Sequence, residues 1–308
     1  MVDIDGQYRA LREQAGIADR SQRGKLIVGG ADAAEYLQGQ LTNEVEALNP
    51  GEGVYAALLD RKGHLQGDMR VLRLAADRYW VDTEADALER VKRHLGTYKI
   101  GREVEIEDVG ADHAILSVIG PAAHEVTSTG PLSPEHAHRE EGQRRIVATD
   151  LGLDLLVPAG SAPDVLAELR DAGAAEVSEE AAEIARVETG RPRFGAEMSE
   201  ATMPAEAGIT DRAVSFAKGC YIGQEPVARL HYKGRPNRHL RGLRLSAAAA
   251  HDDPIRLGDR EVGRVGTACL SPALGPIALA IVRREAAPGD TVSVGEDGAE
   301  AEVVELPF

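Results

Sequence analysis

Two strand-like runs, residues 54–59 and 68–74, are separated by only the eight residues DRKGHLQG. A parallel pair needs a crossover of about a dozen residues or more, so a link this short makes the two strands antiparallel. Gly63 and Gly67 supply the positive-φ freedom a hairpin turn uses. A helix precedes the pair at residues 31–41, where Ala34, Leu37 and Leu41 recur at helical spacing. A third strand at 79–81 follows, then Thr83 in an N-cap position and a helix whose apolar face is Leu88, Val91 and Leu95, ending near Gly96. The order repeats: strand 114–119, a short helix opened by Pro121, strands 145–149 and 153–157 around Leu151-Gly152, and a helix over 164–170. Antiparallel strands with covering helices, met twice, predict an α+β protein with two ferredoxin-like subdomains.

From Leu240 the pattern changes to short β-rich runs such as LRGLRL, EVGRVGTACL and AEVVEL, separated by Gly, Pro and Asp. This predicts a small antiparallel barrel or sandwich, with residues 246–253 as a loop inside it or a linker. A length of 308 residues accommodates two or three such units. The formal charge of −16 disfavours a general binder of nucleic acid or anionic membrane. With two cysteines, Cys220 and Cys269, neither a disulfide scaffold nor a cysteine-held metal cluster is expected, and a cytoplasmic setting follows. The start MVDIDGQYRALREQ is polar and acidic, and no apolar run approaches the roughly 20 residues of a membrane span, so neither a secretory leader nor a membrane contact is expected.

The segment SFAKGCYIGQEPVARLHY, residues 215–232, holds most of the chemistry. Cys220 lies two residues after Lys218, and a nearby ammonium lowers a thiol pKa toward neutrality, making a nucleophile or redox handle. The competing reading is a buried structural thiol; Cys269, in a strand-like run, reads as core. From Pro226 to His251 there is no Asp or Glu, while Arg229, Lys233, Arg235, Arg238, Arg241 and Arg244 all occur. Such a strip suits an anionic partner, a ligand carboxylate, a phosphate or RNA, unless it pairs with acidic neighbours such as those at 176–183. Asp68 opens a strand after a glycine-rich turn, and Glu188 sits between Arg186 and Arg191 where an acceptor suits a heterocycle's amino and ring N–H groups. HExxH, a phosphate-binding P-loop, GxGxxG after a strand and GxSxG are all missing, so the chemistries they signal lack support.

KGCYIGQE at 218–225 resembles the signature of the YgfZ family of folate-binding proteins, relatives of the glycine cleavage T-protein. YLQGQLTNEV (36–45), LLDRKGHLQGDMRV (58–71), RVETGRPRFGAE (186–197), MPAEAG (203–208) and the ending VVELPF extend the resemblance over nearly the whole chain. It implies a three-part ring, with two interleaved ferredoxin-like α/β subdomains over residues 1–239 and an antiparallel C-terminal β-barrel over 240–308. Tetrahydrofolate, or a one-carbon derivative of it, is then expected in the central opening. By motif match Glu188, flanked by Arg186, would lie against the pterin, and Asp68 near the reactive folate nitrogens; the strip containing Arg229 would face folate's glutamate tail. The chain departs from the T-protein pattern in two places: Gly67-Asp68 stands where that pattern has two consecutive acids, and SFAKGCY replaces its basic cluster.

Those departures move the implied chemistry toward Lys218 and Cys220. The YgfZ resemblance implies an accessory protein for assembly or repair of iron–sulfur enzymes, including radical enzymes that thiolate tRNA, with client or assembly proteins as partners. The T-protein resemblance implies the alternative, a tetrahydrofolate-dependent aminomethyl or other one-carbon transferase in which Asp68 assists proton transfer. RNA binding through the basic strip is a third expectation, carried by charge alone.

Overall fold

A computed structural model describes residues 3–308. The chain opens with α1 (Ile4–Glu13), whose cap Asp3 accepts from the Gly6 N–H, followed by β1 (Gly16–Asp19) and β2 (Gly24–Gly29). Then come α2 (Ala33–Gln40), β3 (Gly53–Leu59), β4 (Leu65–Ala75), β5 (Arg78–Thr83), α3 (Ala85–Tyr98) and β6 (Glu105–Asp108). The next stretch is β7 (His113–Ile119), α4 (Ala123–Val126), β8 (His138–Glu141), β9 (Arg144–Ala148), β10 (Gly152–Pro158), α5 (Ala162–Asp171) and β11 (Ala175–Glu176). Helices α6 (Glu179–Glu188), α7 (Thr210–Ala213) and α8 (Gln224–Lys233) lead to β12 (Arg238–Leu245), β13 (Pro254–Leu257), β14 (Arg260–Ser271), β15 (Gly275–Arg283), β16 (Thr291–Val294) and β17 (Ala299–Val304).

The strands form a five-stranded sheet ordered β3-β4-β5-β2-β6, a six-stranded sheet ordered β11-β1-β7-β10-β9-β8, and a closed barrel ordered β12-β15-β14-β13-β16-β17. This is the expected α+β architecture, and the β3–β4 hairpin is antiparallel as its short link requires. The two sheets interleave in sequence, because β1 joins the six-stranded sheet before β2 enters the five-stranded one. Ile27, Leu72, Trp80, Ile115, Val147 and Leu156, drawn from both sheets, share one buried cluster. The barrel closes by pairing β12 with β17, which leaves no unpaired edge. Its interior is Leu243, Ile255, Val265, Ala280, Val282, Val303 and neighbours, almost all aliphatic. Residues 246–253 form an ordered loop inside the barrel, with Asp253 accepting from the Ala250 N–H and Asp252 donating to the Val265 carbonyl.

The chain divides into two compact units that are discontinuous in sequence. The first runs to Leu58 and adds Gln66–Ala182 and Ala213–Ile222, so it holds both open sheets. The second gathers Leu59–Leu65, Glu183–Arg212 and Gly223–Phe308, including the barrel. Two local expectations fail. Of the two hairpin glycines only Gly63 takes positive φ, because Gly67 lies within β4. Thr83 is not a helix cap: it ends β5, and its hydroxyl donates to the Asp68 carbonyl at 2.6 Å, while the cap position falls to Glu84 and α3 continues past Gly96 to Tyr98.

Candidate functional site

In the first unit Asp68 is the fourth residue of β4, carried there by the hairpin. Gly67 before it lies under α3: a Cβ at that position would come within 3.1 Å of Val91 Cγ2 and 3.2 Å of Ala87 Cβ, so close helix packing favours glycine over a second acid. The Tyr55 hydroxyl donates to Asp68 Oδ2 at 2.7 Å, whereas Oδ1 is buried with no partner. Desolvation, with the nearby Glu84 carboxylate, raises the Asp68 pKa to about 6 against the opposing pull of Tyr55 and Arg23. The carboxyl therefore changes charge close to neutrality and has a vacant acceptor.

A buried ionic network surrounds it. Asp82 accepts from Arg23 Nε at 3.1 Å, Arg70 Nε at 2.8 Å and Trp80 Nε1 at 3.0 Å. Arg70 also donates to Asp154 at 2.6 Å, whose other oxygen accepts from Ser117 at 2.6 Å. Arg23 binds Glu84 as well, which ties the network to the carboxylate that acts on Asp68.

Lys218, in the same unit, is buried and turned to the end of α2. Its Nζ donates to the carbonyls of Gln38 at 2.5 Å, Leu41 at 2.6 Å and Asn43 at 2.9 Å. Burial pushes its pKa down to about 8, with Glu44 opposing. An ammonium has three N–H donors, and all three are committed, so none is left for the Cys220 thiol. Lys218 thus serves as an anchor that ties the motif to the end of α2. Replacing Lys218 by Met is expected to cost roughly 1–3 kcal/mol by leaving buried carbonyls without donors, read from urea unfolding. An unchanged midpoint would show that the anchor contributes nothing. Cys220 itself is exposed, which removes the reading of a buried structural thiol, while Cys269 is half-buried, packed beside Ile277 and Leu279, with burial pushing its thiol to about 12.

In the second unit Glu188 ends α6, buried, and its Oε1 accepts from the Ser271 hydroxyl at 2.6 Å. Arg186, expected beside the ligand, has no N–H to spare. Its five donors reach Glu183 twice, Glu197, Thr267 and the Arg191 carbonyl, which makes it a clamp within the unit. Arg229 lies on α8 and is exposed. Helix α8 starts after Gly223, whose φ of +84° and approach to the Asp60 carbonyl, 2.4 Å from a notional Cβ, require glycine. The acid-free strip is partly neutralised, through residues other than those at 176–183: Arg238 pairs with Glu206 at 2.8 Å, Arg241 with Glu305 at 3.4 Å, and Arg244 stacks over the Phe308 ring. Among the described residues no group of three or more His, Cys, Asp or Glu side chains is placed to hold a metal ion, and no helix is long and apolar enough to cross a membrane.

Sequence reading found Asp68 but missed Tyr55, Arg23, Asp82 and Glu84 around it. Their partners are distant in the chain.

Residues 3–133 match the family described as GCVT N-terminal domain, and residues 238–308 match the glycine cleavage T-protein C-terminal barrel domain. The aminomethyltransferase of Saccharopolyspora erythraea is 31% identical over 98% of this chain and 89% of its own. That of Rubrobacter xylanophilus is 30% identical over 99% of this chain and 86% of its own. The crystal structure of glycine cleavage system aminomethyltransferase T from Bartonella henselae shares the fold, with a TM-score of 0.89 and 22% identity, covering 99% of this chain and 89% of that one.

Proposed function

The chain belongs to the glycine cleavage T-protein family, and on that premise we propose that it binds tetrahydrofolate and uses Asp68 to manage a proton while a one-carbon unit passes between an amine and the folate. The observation that carries the reading is the Asp68 carboxyl, with a buried unpartnered Oδ1 and a pKa near 6. An orphaned acceptor fits a ligand rich in N–H groups, and a group that titrates near neutrality is suited to accept and return a proton. Bound tetrahydrofolate would supply the amine nitrogens that receive the one-carbon unit.

The chain's own residues divide the remaining work. Tyr55 fixes the rotation of Asp68 through its hydrogen bond to Oδ2, leaving Oδ1 to meet an N–H. Glu188, held by Ser271, offers a carboxylate acceptor for the heterocycle. Arg186 keeps Glu183 and Glu197 in place and acts on the ligand only indirectly. Arg229 presents an exposed cation suited to a carboxylate tail. The test is turnover: purified protein, tetrahydrofolate and an aminomethyl donor, followed for methylenetetrahydrofolate. Formation that depends on Asp68 supports the reading; bound folate without turnover overturns the transferase assignment.

A second reading rests on Cys220, an exposed thiol within KGCYIGQE. In it the protein is a folate-binding accessory in iron–sulfur cluster assembly or repair, with clients that include tRNA-modifying radical enzymes. One thiol is too few to hold a four-cysteine cluster, so a partner protein would bring the remaining ligands. Its test is Cys220→Ala in cells lacking the native protein: loss of iron–sulfur enzyme rescue by a folded variant supports it, and full rescue removes it.

A further inference from the structure

A cavity of about 210 Å³ opens in the first unit where the five- and six-stranded sheets meet. It is smaller than the roughly 300–1,000 Å³ typical of drug-sized ligands, and so suits the body of a single ring. Its floor is apolar: Ile27, Leu74 and Leu156 surround the Trp80 indole. The His113 ring stands edge-on to Trp80, with centroids 5.3 Å apart, and His113 Nδ1 is buried with no partner. Arg78, Arg144 and Arg145 line the cavity against one carboxylate, Glu140. Arg144 is committed to Glu168 and Arg145 to Glu140. Arg78 is exposed and has no ion pair among the described residues, which leaves an uncompensated cation at an aromatic pocket in a chain of net charge −16.

We propose that this cavity is a second ligand site, distinct from the one containing Asp68, which binds a small aromatic monocarboxylate. The ring would lie in the apolar floor against Trp80, where offset and edge-on contacts between rings are favourable. The carboxylate would meet the Arg78 guanidinium in a charge-assisted pair and, in the tautomer protonated at Nδ1, accept from His113 Nδ1, a buried polar atom without a partner at this cavity. The proposal does not depend on the folate reading.

Trp80 is the one tryptophan of the chain, so its fluorescence reports this pocket directly. Titration of the full-length protein with benzoate is expected to give a saturable change in Trp80 emission and a matching calorimetric isotherm. Arg78→Glu should weaken binding at least tenfold, and the neutral isostere benzamide should bind the wild type correspondingly less well. Leu74→Phe, which fills the floor, should abolish binding while circular dichroism shows an intact fold. Asp68→Asn should leave the affinity unchanged. The proposal is overturned by no saturable binding of benzoate at millimolar concentration, by equal affinity for benzamide or in Arg78→Glu, or by loss of binding in Asp68→Asn, which would place the ligand elsewhere.

Discussion

Asp68→Asn is expected to lower one-carbon transfer roughly 100- to 10,000-fold, the range in which a positioned proton-transfer group contributes, while raising the melting temperature at pH 8. The two effects share a cause. Burial and the Glu84 charge lift the folded-state pKa of Asp68 to about 6, above the ~3.9 of an unfolded aspartate. Between those values the folded state binds the proton more tightly than the unfolded one, so stability from this group falls as pH rises through the window. Above about pH 6 the ionised carboxylate is a standing cost, and that cost disappears once pH is below about 4. Asparagine is neutral throughout and escapes it, which should place the variant's melting point above the wild type's at pH 8 and let the difference close in acid. Steady-state turnover and thermal scans at pH 8 and pH 4.5 check both halves. Activity within a factor of three of wild type, or a lower melting point at pH 8, would refute the assignment.

The largest loss of stability is expected from Asp82→Ala. Its side chain is 2% exposed and accepts from two arginines and an indole. Burial alone would raise its pKa, but Arg70 and Arg23 outweigh that and hold it below the usual carboxylate range. Removing one partner of a buried ionic group strands the others, a change that costs about 3–5 kcal/mol. Arg23 and Arg70 would keep only Glu84 and Asp154 as carboxylate partners. Because the folded pKa is depressed, this stabilisation is present above the unfolded value and is lost as pH falls through the folded one. Urea unfolding at neutral pH is the measurement, and a loss below about 1 kcal/mol would mean that the arginines re-pair without Asp82.

The parts of this fold that sequence made visible are those whose cause is local. A short glycine-bearing link dictates an antiparallel hairpin, and the rhythm of short β-runs from residue 240 signals the barrel. Strand β2 escaped because GKLIVG is buried on both faces and shows no alternation; β1 and β8 are only four residues each. The ionic network escaped for a different reason. Arg23 meets Asp82 across 59 positions and Arg70 meets Asp154 across 84, so no spacing rule connects them. The same limit hides the partners of two site residues: Lys218 stands beside Cys220 and Arg186 near Glu188 in the chain, and each donates to groups supplied from elsewhere in its own unit. Nearness in sequence indicated which residues matter and left open what they touch.

Lys218 reaches the carbonyls that finish α2 from a position some 180 residues later in the chain. A cation there complements the negative end of the helix dipole, so the loop bearing Cys220 and the last turn of α2 form one cooperative patch. Amide hydrogens of both should become exposed to exchange in the same opening event.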